Sequence, residues 1–352
     1  MKKFFTLTLL LISIVLTAQE TEETTAEVKK EKSFTFSGSI DAYYRTNFTA
    51  PNDENAIAPG TSFANLPGFA LGMANLVASY EGEKVGFVAD LVFGPRGTDA
   101  IFASPMYSNT GDIVNQLYAY WNVTESVTLT MGNFNTFLGY EVISPVANFN
   151  YSTSYLFSYG PFSHTGLKAD FALSDDLSLM VGVFNDTDLT EFNATGDYAA
   201  GAQIGYKGQY LNVLYDPSFF EIDFTGGFDL SEDFFLGINA AYLSLEDDAG
   251  GFMGGALYPQ YTISDSFALG LRGEYFKEDK AFGAIGTYDE FGNPVEDSSV
   301  FAATLTGSFT IDNLIIKPEI RLDSASDNAF VDTDLMPSKS LGSFVLAAIY
   351  SF

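Results

Sequence analysis

Ser163 and His164 are the residues that most invite a catalytic reading, because the chain has a single His and no Cys. Any nucleophile–base pair must therefore draw on this one imidazole. Neighbouring residues of a strand project to opposite faces, so Ser163 cannot share a proton with His164 there. His164 reads instead as a side chain that bonds the base of a long loop. Absence of Cys removes thiol catalysis, disulfides, thiolate zinc sites and iron–sulfur clusters together. Asp186 and Asp188 with Glu191, Asp247 with Asp248, and Asp332 with Asp334 have spacings that calcium could use. None carries the D-x-D-x-D-G frame with its distal Glu, so they read as solvated loop tips. No Gly cluster joins a strand to a helix, so no phosphate cradle is expected. An enzyme, a cofactor and a bound metal are all unexpected.

The informative charges lie elsewhere, spaced by two within apolar segments. Asp41 and Arg45, Asp90, Lys168 and Asp170, Glu221 and Asp223, Arg272 and Glu274, then Lys317, Glu319 and Arg321 all alternate with apolar neighbours. If the apolar face meets lipid, these twelve face a lumen, since Arg or Lys on the lipid face costs about 2–4 kcal/mol near the midplane. The set holds five basic and seven acidic residues and three of the four Arg in the chain.

The elements that would position them follow from period two. Val85, Phe87, Ala89, Leu91 and Phe93 share one face; Leu177, Leu179, Val181 and Val183 share another. Phe267, Leu269 and Leu271, and Leu314, Ile316, Ile320 and Leu322, repeat the pattern. Segments of this length number about sixteen and match the ~9–11 residues that a tilted strand needs to cross hydrocarbon. Short polar turns near 81–84, 124–126, 174–176, 207–209, 231–233, 264–266 and 311–313 interleave with mostly longer loops, near 47–67, 94–112, 135–163, 185–197, 277–298 and 324–339. That segregation predicts an all-β fold, a transmembrane antiparallel up-and-down β-barrel of about sixteen strands over 33–352. An open sheet of this size would leave an aromatic-rich face uncovered.

Composition agrees. Acidic residues number 45 against 16 basic, a formal charge of −29, and Phe and Tyr contribute 34 and 20. Phosphate neutralisation needs clustered Lys and Arg, which excludes nucleic acid as a partner. A disordered acidic chain would be poor in aromatics. Lys2 and Lys3 precede an apolar run over 4–16 that ends at Ala18, the pattern of a cleaved signal peptide, 1–18. Residues 19–32 read as a disordered polar lead-in. At the other end Phe344, Leu346, Ala348, Tyr350 and Phe352 share a face and finish on an aromatic. This resembles the terminal signal by which the barrel-assembly machinery recognises outer-membrane proteins.

A resemblance becomes specific at GNFNTFLGYEVISPVANFNYSTSYLFSYGPFSHTGLKADF, residues 132–171, which is similar to the centre of the OmpL-like β-barrel porins. FSGSIDAYYRTNF at 36–48 resembles that family's first strand, and VGVFNDTD at 181–188 its next block, with Phe184-Asn185 departing from the family's Gly-Trp. The match spans roughly the first half of the chain after the leader. It implies a pore in the outer membrane of a Gram-negative cell and names no solute.

The function expected is a porin, a water-filled channel for passive diffusion of small hydrophilic solutes. The 29-residue loop 135–163 is the expected constriction, through Tyr140, Glu141, Asn148, Asn150, Tyr151, Tyr155 and Tyr159, with His164 at its base. Asp53, Glu54, Asp186, Asp188, Glu191, Asp289, Glu290, Glu296 and Asp297 outnumber Arg96, Lys277, Lys280 and Lys339 near one mouth, which predicts a mild cation preference. Expected partners are outer-membrane lipid, the assembly machinery and solutes; a homo-oligomer is compatible. The competing expectation is a non-conducting barrel serving as an adhesin or assembly anchor through its acidic loops.

Overall fold

A computed structural model describes residues 32–101, 113–193, 195–280 and 282–352. The expected signal peptide, 1–18, and all but the last residue of the expected polar lead-in, 19–32, lie outside the described residues. Strands β1 (Ser33–Asn47), β2 (Gly68–Glu81), β3 (Val85–Phe93), β4 (Val114–Thr124), β5 (Val127–Asn135) and β6 (Ser163–Ala172) form the first part of the chain. They are followed by β7 (Leu177–Phe184), β8 (Ala199–Tyr206), β9 (Gln209–Asp216), β10 (Phe219–Asp229), β11 (Phe234–Leu245) and β12 (Gly251–Ser264). The last are β13 (Phe267–Asp279), β14 (Ser298–Ile311), β15 (Leu314–Ala325), β16 (Phe330–Val331), β17 (Pro337–Ser338) and β18 (Ser340–Ser351). All but β16 and β17 join, each to its neighbours in the chain, in one closed antiparallel barrel of sixteen strands.

Closure brings β1 against β18, with Ala42 opposite Ala348 and Ile40 opposite Tyr350. Gly38 and Phe352 exchange backbone hydrogen bonds at 3.1 and 3.0 Å, so the C-terminal residue sits in the seam that closes the barrel. Every residue of a closed ladder finds a partner strand, which removes the open edges that lipid cannot tolerate. Seven short turns share one end with the start of β1 and the end of β18; the Lys207-Gly208 turn takes φ of 51° and 80° at its two central residues, as a two-residue hairpin requires.

Alternation does what period two predicts. Leu117, Met131, Val183, Leu211, Leu257, Leu271 and Leu305 project outward and are exposed. Aromatic residues border that apolar band at both ends: Phe36, Phe87, Trp121, Tyr206, Tyr261 and Phe309 toward the short turns, Phe69, Tyr215, Tyr242, Tyr275 and Phe301 toward the long loops. Two such girdles are the mark of a barrel standing in a bilayer.

Three loops hold structure that alternation cannot forecast. Pro95–Ala100 forms helix α1, entered through Gly94 at φ 95°, and Tyr155–Tyr159 forms helix α2, capped by the Ser154 hydroxyl on Phe157 N–H. The 324–339 loop carries the β16–β17 hairpin. No helix among the described residues is long and apolar enough to cross a membrane.

The interior is packed toward the long-loop end. Tyr155, Leu156, Phe252, Tyr258, Phe276 and Leu341 belong to one buried cluster, and Phe63, Met73, Val92, Ile143, Phe157 and Phe162 to another. Phe134, Leu138, Phe184, Ala199 and Leu214 fill the side near β5–β9.

Candidate functional site

Each of the twelve charges picked from sequence spacing faces the interior, and ten of them are almost fully buried. Arg272 and Glu274 are 0% exposed, Glu319 and Arg321 1%, and Asp41, the least buried of the ten, 6%. Lys168 and Asp170 keep 19% and 39% of their side chains in contact with solvent. Seven of the ten, Asp41, Asp223, Arg272, Glu274, Lys317, Glu319 and Arg321, bond the long loop, which enters the barrel between β5 and β6, while Asp90 is held by Asn75, Asn115 and Gln116 of the wall.

The wall grips that loop by its backbone. Glu319 of β15 accepts from Tyr151 N–H at 2.7 Å and Ser152 N–H at 3.1 Å, and Glu274 of β13 accepts from Tyr155 and Leu156 N–H at 3.0 and 2.8 Å. The second pair are first-turn amides of α2, donors that an isolated helix leaves unsatisfied. Arg272 donates to Ser152 O at 2.6 Å and Thr153 O at 3.2 Å, and Arg321 donates to Thr153 O at 2.8 Å. Lys317 donates to the carbonyls of Pro145 and Asn148. Asp223 accepts from Gly139 N–H at 3.1 Å, with Asn212 and Asn239 completing its coordination.

Two ion pairs close the network. Arg272 meets Glu141 of the loop at 2.6 Å, and Glu141 also accepts from Ser154 N–H at 2.8 Å. Arg321 meets Asp323 at 2.8 Å. Removing one partner of such a pair strands a buried charge, which is why these contacts hold geometry firmly.

Loop side chains reach the wall as well. The Tyr151 hydroxyl donates to Asp41, and burial together with that carboxylate holds the phenol well above its ordinary range. Asn150 donates to Thr306 at 2.7 Å, Asn148 closes a turn on Val142, and Tyr159 donates to Ala284 O at 2.9 Å. Tyr140 stacks on Tyr258 at 4.3 Å, and Tyr155 lies beneath the Arg321 guanidinium at 5.6 Å. His164, at the head of β6, bonds Thr136 Oγ1 at 2.9 Å and packs against the rings of Phe137 and Phe184.

Residues that the sequence pattern misplaces or passes over complete the packing. Arg96 of α1 donates to Ile143 O and Tyr151 O at 2.9 and 3.1 Å and covers Phe63 at 4.4 Å, so it belongs to the packed interior and not to a charged mouth. The 48–67 loop also turns inward, where Arg45 donates to Ala64 O and Thr153 to Ser62 O. Inward glycines serve as seats: a Cβ at Gly201 would strike Phe137, at Gly237 the Tyr140 hydroxyl, and at Gly270 the Phe149 ring. A glycine on a strand facing the lumen, opposite an aromatic-rich loop, is the signal that could have found them.

Within the 185–191 acidic stretch Glu191 is exposed, but Asp186 and Asp188 are not solvated tips. Asp186 accepts from Thr195 N–H and hydroxyl, and Asp188 accepts from Phe162 and Ser163 N–H at 2.8 Å each, closing the far end of the long loop. Burial pushes the Asp188 carboxyl up to about 7. Asp332 likewise bonds Asp334 and Met336 N–H within its own loop. Among the described residues no group of three or more His, Asp or Glu could hold a metal ion.

Phe344, Leu346, Tyr350 and Phe352 lie along the outer face of β18 and beyond its end, and Phe352 packs on Phe36 at 6.1 Å.

Comparison with known proteins agrees with this architecture. An anion-selective porin from Comamonas acidovorans superposes with a TM-score of 0.58 at 11% identity, covering 92% of this chain and 100% of that one. The outer membrane channel DcaP of Acinetobacter baumannii gives 0.56 at 12% identity over 91% and 97%, and a loop-deleted OmpT of Vibrio cholerae 0.54 at 12% over 91% and 99%. No curated protein matches in sequence. The family model of β-barrel porin-2, OmpL-like, matches residues 33–352, and the chain therefore belongs to that family of outer-membrane porins.

Proposed function

We propose that this porin passes small hydrophilic solutes by passive diffusion, without chemistry, with loop 135–163 as its constriction and a mild preference for cations. The observation that carries the reading is a closed barrel whose lipid face is apolar and whose longest loop lies inside it, tied to Glu274, Arg272, Glu319 and Arg321. A loop held this firmly gives a fixed narrow section rather than a freely moving lid. Cation preference rests on the acidic long-loop end, where burial withdraws Arg96 from the basic side and Asp186 and Asp188 from the acidic side, leaving acidic residues in the majority. Assembly would use the outer face of β18, with Phe344, Leu346, Tyr350 and Phe352 presented to the assembly machinery.

One observation favours the second reading, a non-conducting barrel acting through its outer loops. The interior near those loops is packed with apolar clusters of the kind found in soluble cores. Single-channel recording of the purified protein separates the two: discrete conductance steps support the porin, and silence at all voltages supports the anchor.

A further inference from the structure

We propose that Lys168 and Asp170 of β6 set the ion preference of this channel's wall, an inference that rests on the porin reading above. Of the twelve inward charges they are the two that keep substantial solvent contact, 19% and 39% of their side chains. The ladder of Arg272, Lys317, Glu319 and Arg321 is spent on loop amides and carbonyls, or on Glu141 and Asp323, so its charges are matched locally and removed from water. A passing ion feels an exposed charge far more than one neutralised behind packed side chains.

The positions directly opposite the pair bring it no further charge. Thr130 and Gly182 stand opposite Lys168 on the flanking strands, and Thr128 and Met180 stand opposite Asp170; none is charged. Lys168 Nζ lies 5.5 Å from the centre of the Phe134 ring, at the edge of the Phe134–Leu138–Phe184 cluster. The pair thus stands where packed interior gives way to the half-buried polar wall of Tyr120, Asn122 and Thr128. Its two charges are bonded at 3.0 and 3.1 Å and largely offset one another, so the pair holds the native wall close to neutral and either charge alone would tilt it.

The test is the reversal potential in a KCl gradient at low salt. Lys168→Gln leaves Asp170 uncompensated and should raise the cation-to-anion permeability ratio about threefold to fivefold, the effect of one unit charge a few ångströms from an ion in water. Asp170→Asn should lower it by a similar factor, and the double variant should return close to the native value. All three shifts should shrink near 1 M salt, where the Debye length is ~3 Å. Because the chain has no Cys, Lys168→Cys adds a second readout: a water-soluble negatively charged thiol reagent should label it and change the current. Open channels whose reversal potential is the same in both single variants, or shifts in one direction in both, would overturn this assignment and leave the porin reading standing. Absence of current from the native protein and every variant would overturn the porin reading itself, and this assignment with it.

Discussion

Replacing Glu319 with Ala should free the long loop while sparing the barrel. Its carboxylate accepts from Tyr151 N–H, Ser152 N–H and the Thr306 hydroxyl, the last at 2.7 Å, and all three donors belong to buried residues. Each buried donor left without a partner costs about 1–3 kcal/mol. The hydroxyl can turn elsewhere and the amides cannot, so the loss is about 2–6 kcal/mol. Since 1.4 kcal/mol is a factor of ten, the ratio of docked to undocked loop should fall by about 30-fold to 10⁴-fold. Glu319→Gln keeps one carbonyl oxygen in place and should lose about 1–2 kcal/mol. The β14–β15 and β15–β18 ladders are backbone bonds and survive both changes. Two assays read the result: single-channel conductance, and thiol labelling of Ser152→Cys, a position 1% exposed in the native packing. Conductance and labelling should both rise in the order native, Gln, Ala. Unchanged values in a correctly folded Ala variant, judged by heat-modifiable migration on gels, would refute the claim that wall carboxylates hold the loop.

Gly270→Val should unseat Phe149 and raise conductance noise at constant barrel stability, measured by bilayer recording and thermal unfolding in detergent. Removing Phe352 deletes its backbone bonds to Gly38 in the closing seam and should cut the amount of heat-modifiable protein recovered from outer membranes. Asp188, with its carboxyl raised to about 7, stays protonated in the folded protein at pH values where the unfolded chain has ionised it. Its contribution to stability therefore falls as pH rises from about 4 to 7. Asp188→Asn should flatten that part of the pH–stability profile, read by thermal unfolding. The native channel's cation preference should be evident at low salt and fade near 1 M, measured by reversal potential.

The barrel was legible because lipid imposes period two on every strand. Leu117 or Leu271 must face hydrocarbon, and that fixes Gln116 or Arg272 on the opposite face. Strand number and order followed, since short turns interleave with mostly longer connections, the brief ones at 217–218 and 246–250 excepted, and a closed antiparallel barrel leaves each strand only its neighbours to pair with. The inward direction of the charges was legible for the same reason. Their consumption by the loop was not. Spacing tells which face Glu319 and Arg321 occupy, but not that a segment some 170 residues earlier supplies the amides and carbonyls they bind. Loop backbone carries no periodic mark, so the inward turn of 48–67 and the burial of Arg96 left no trace beyond the loops' aromatic content. Gly201, Gly237 and Gly270 were visible as strand glycines, yet only the facing rings explain them.

The central claim, an aqueous channel narrowed by its own loop, is tested most directly by planar-bilayer conductance of the native protein beside a variant lacking residues 142–158. Native protein should give small, uniform steps and the deletion markedly larger ones, with heat-modifiable migration unchanged. Equal steps would place the loop away from the conduction path, and silence from both folded proteins would contradict the channel altogether.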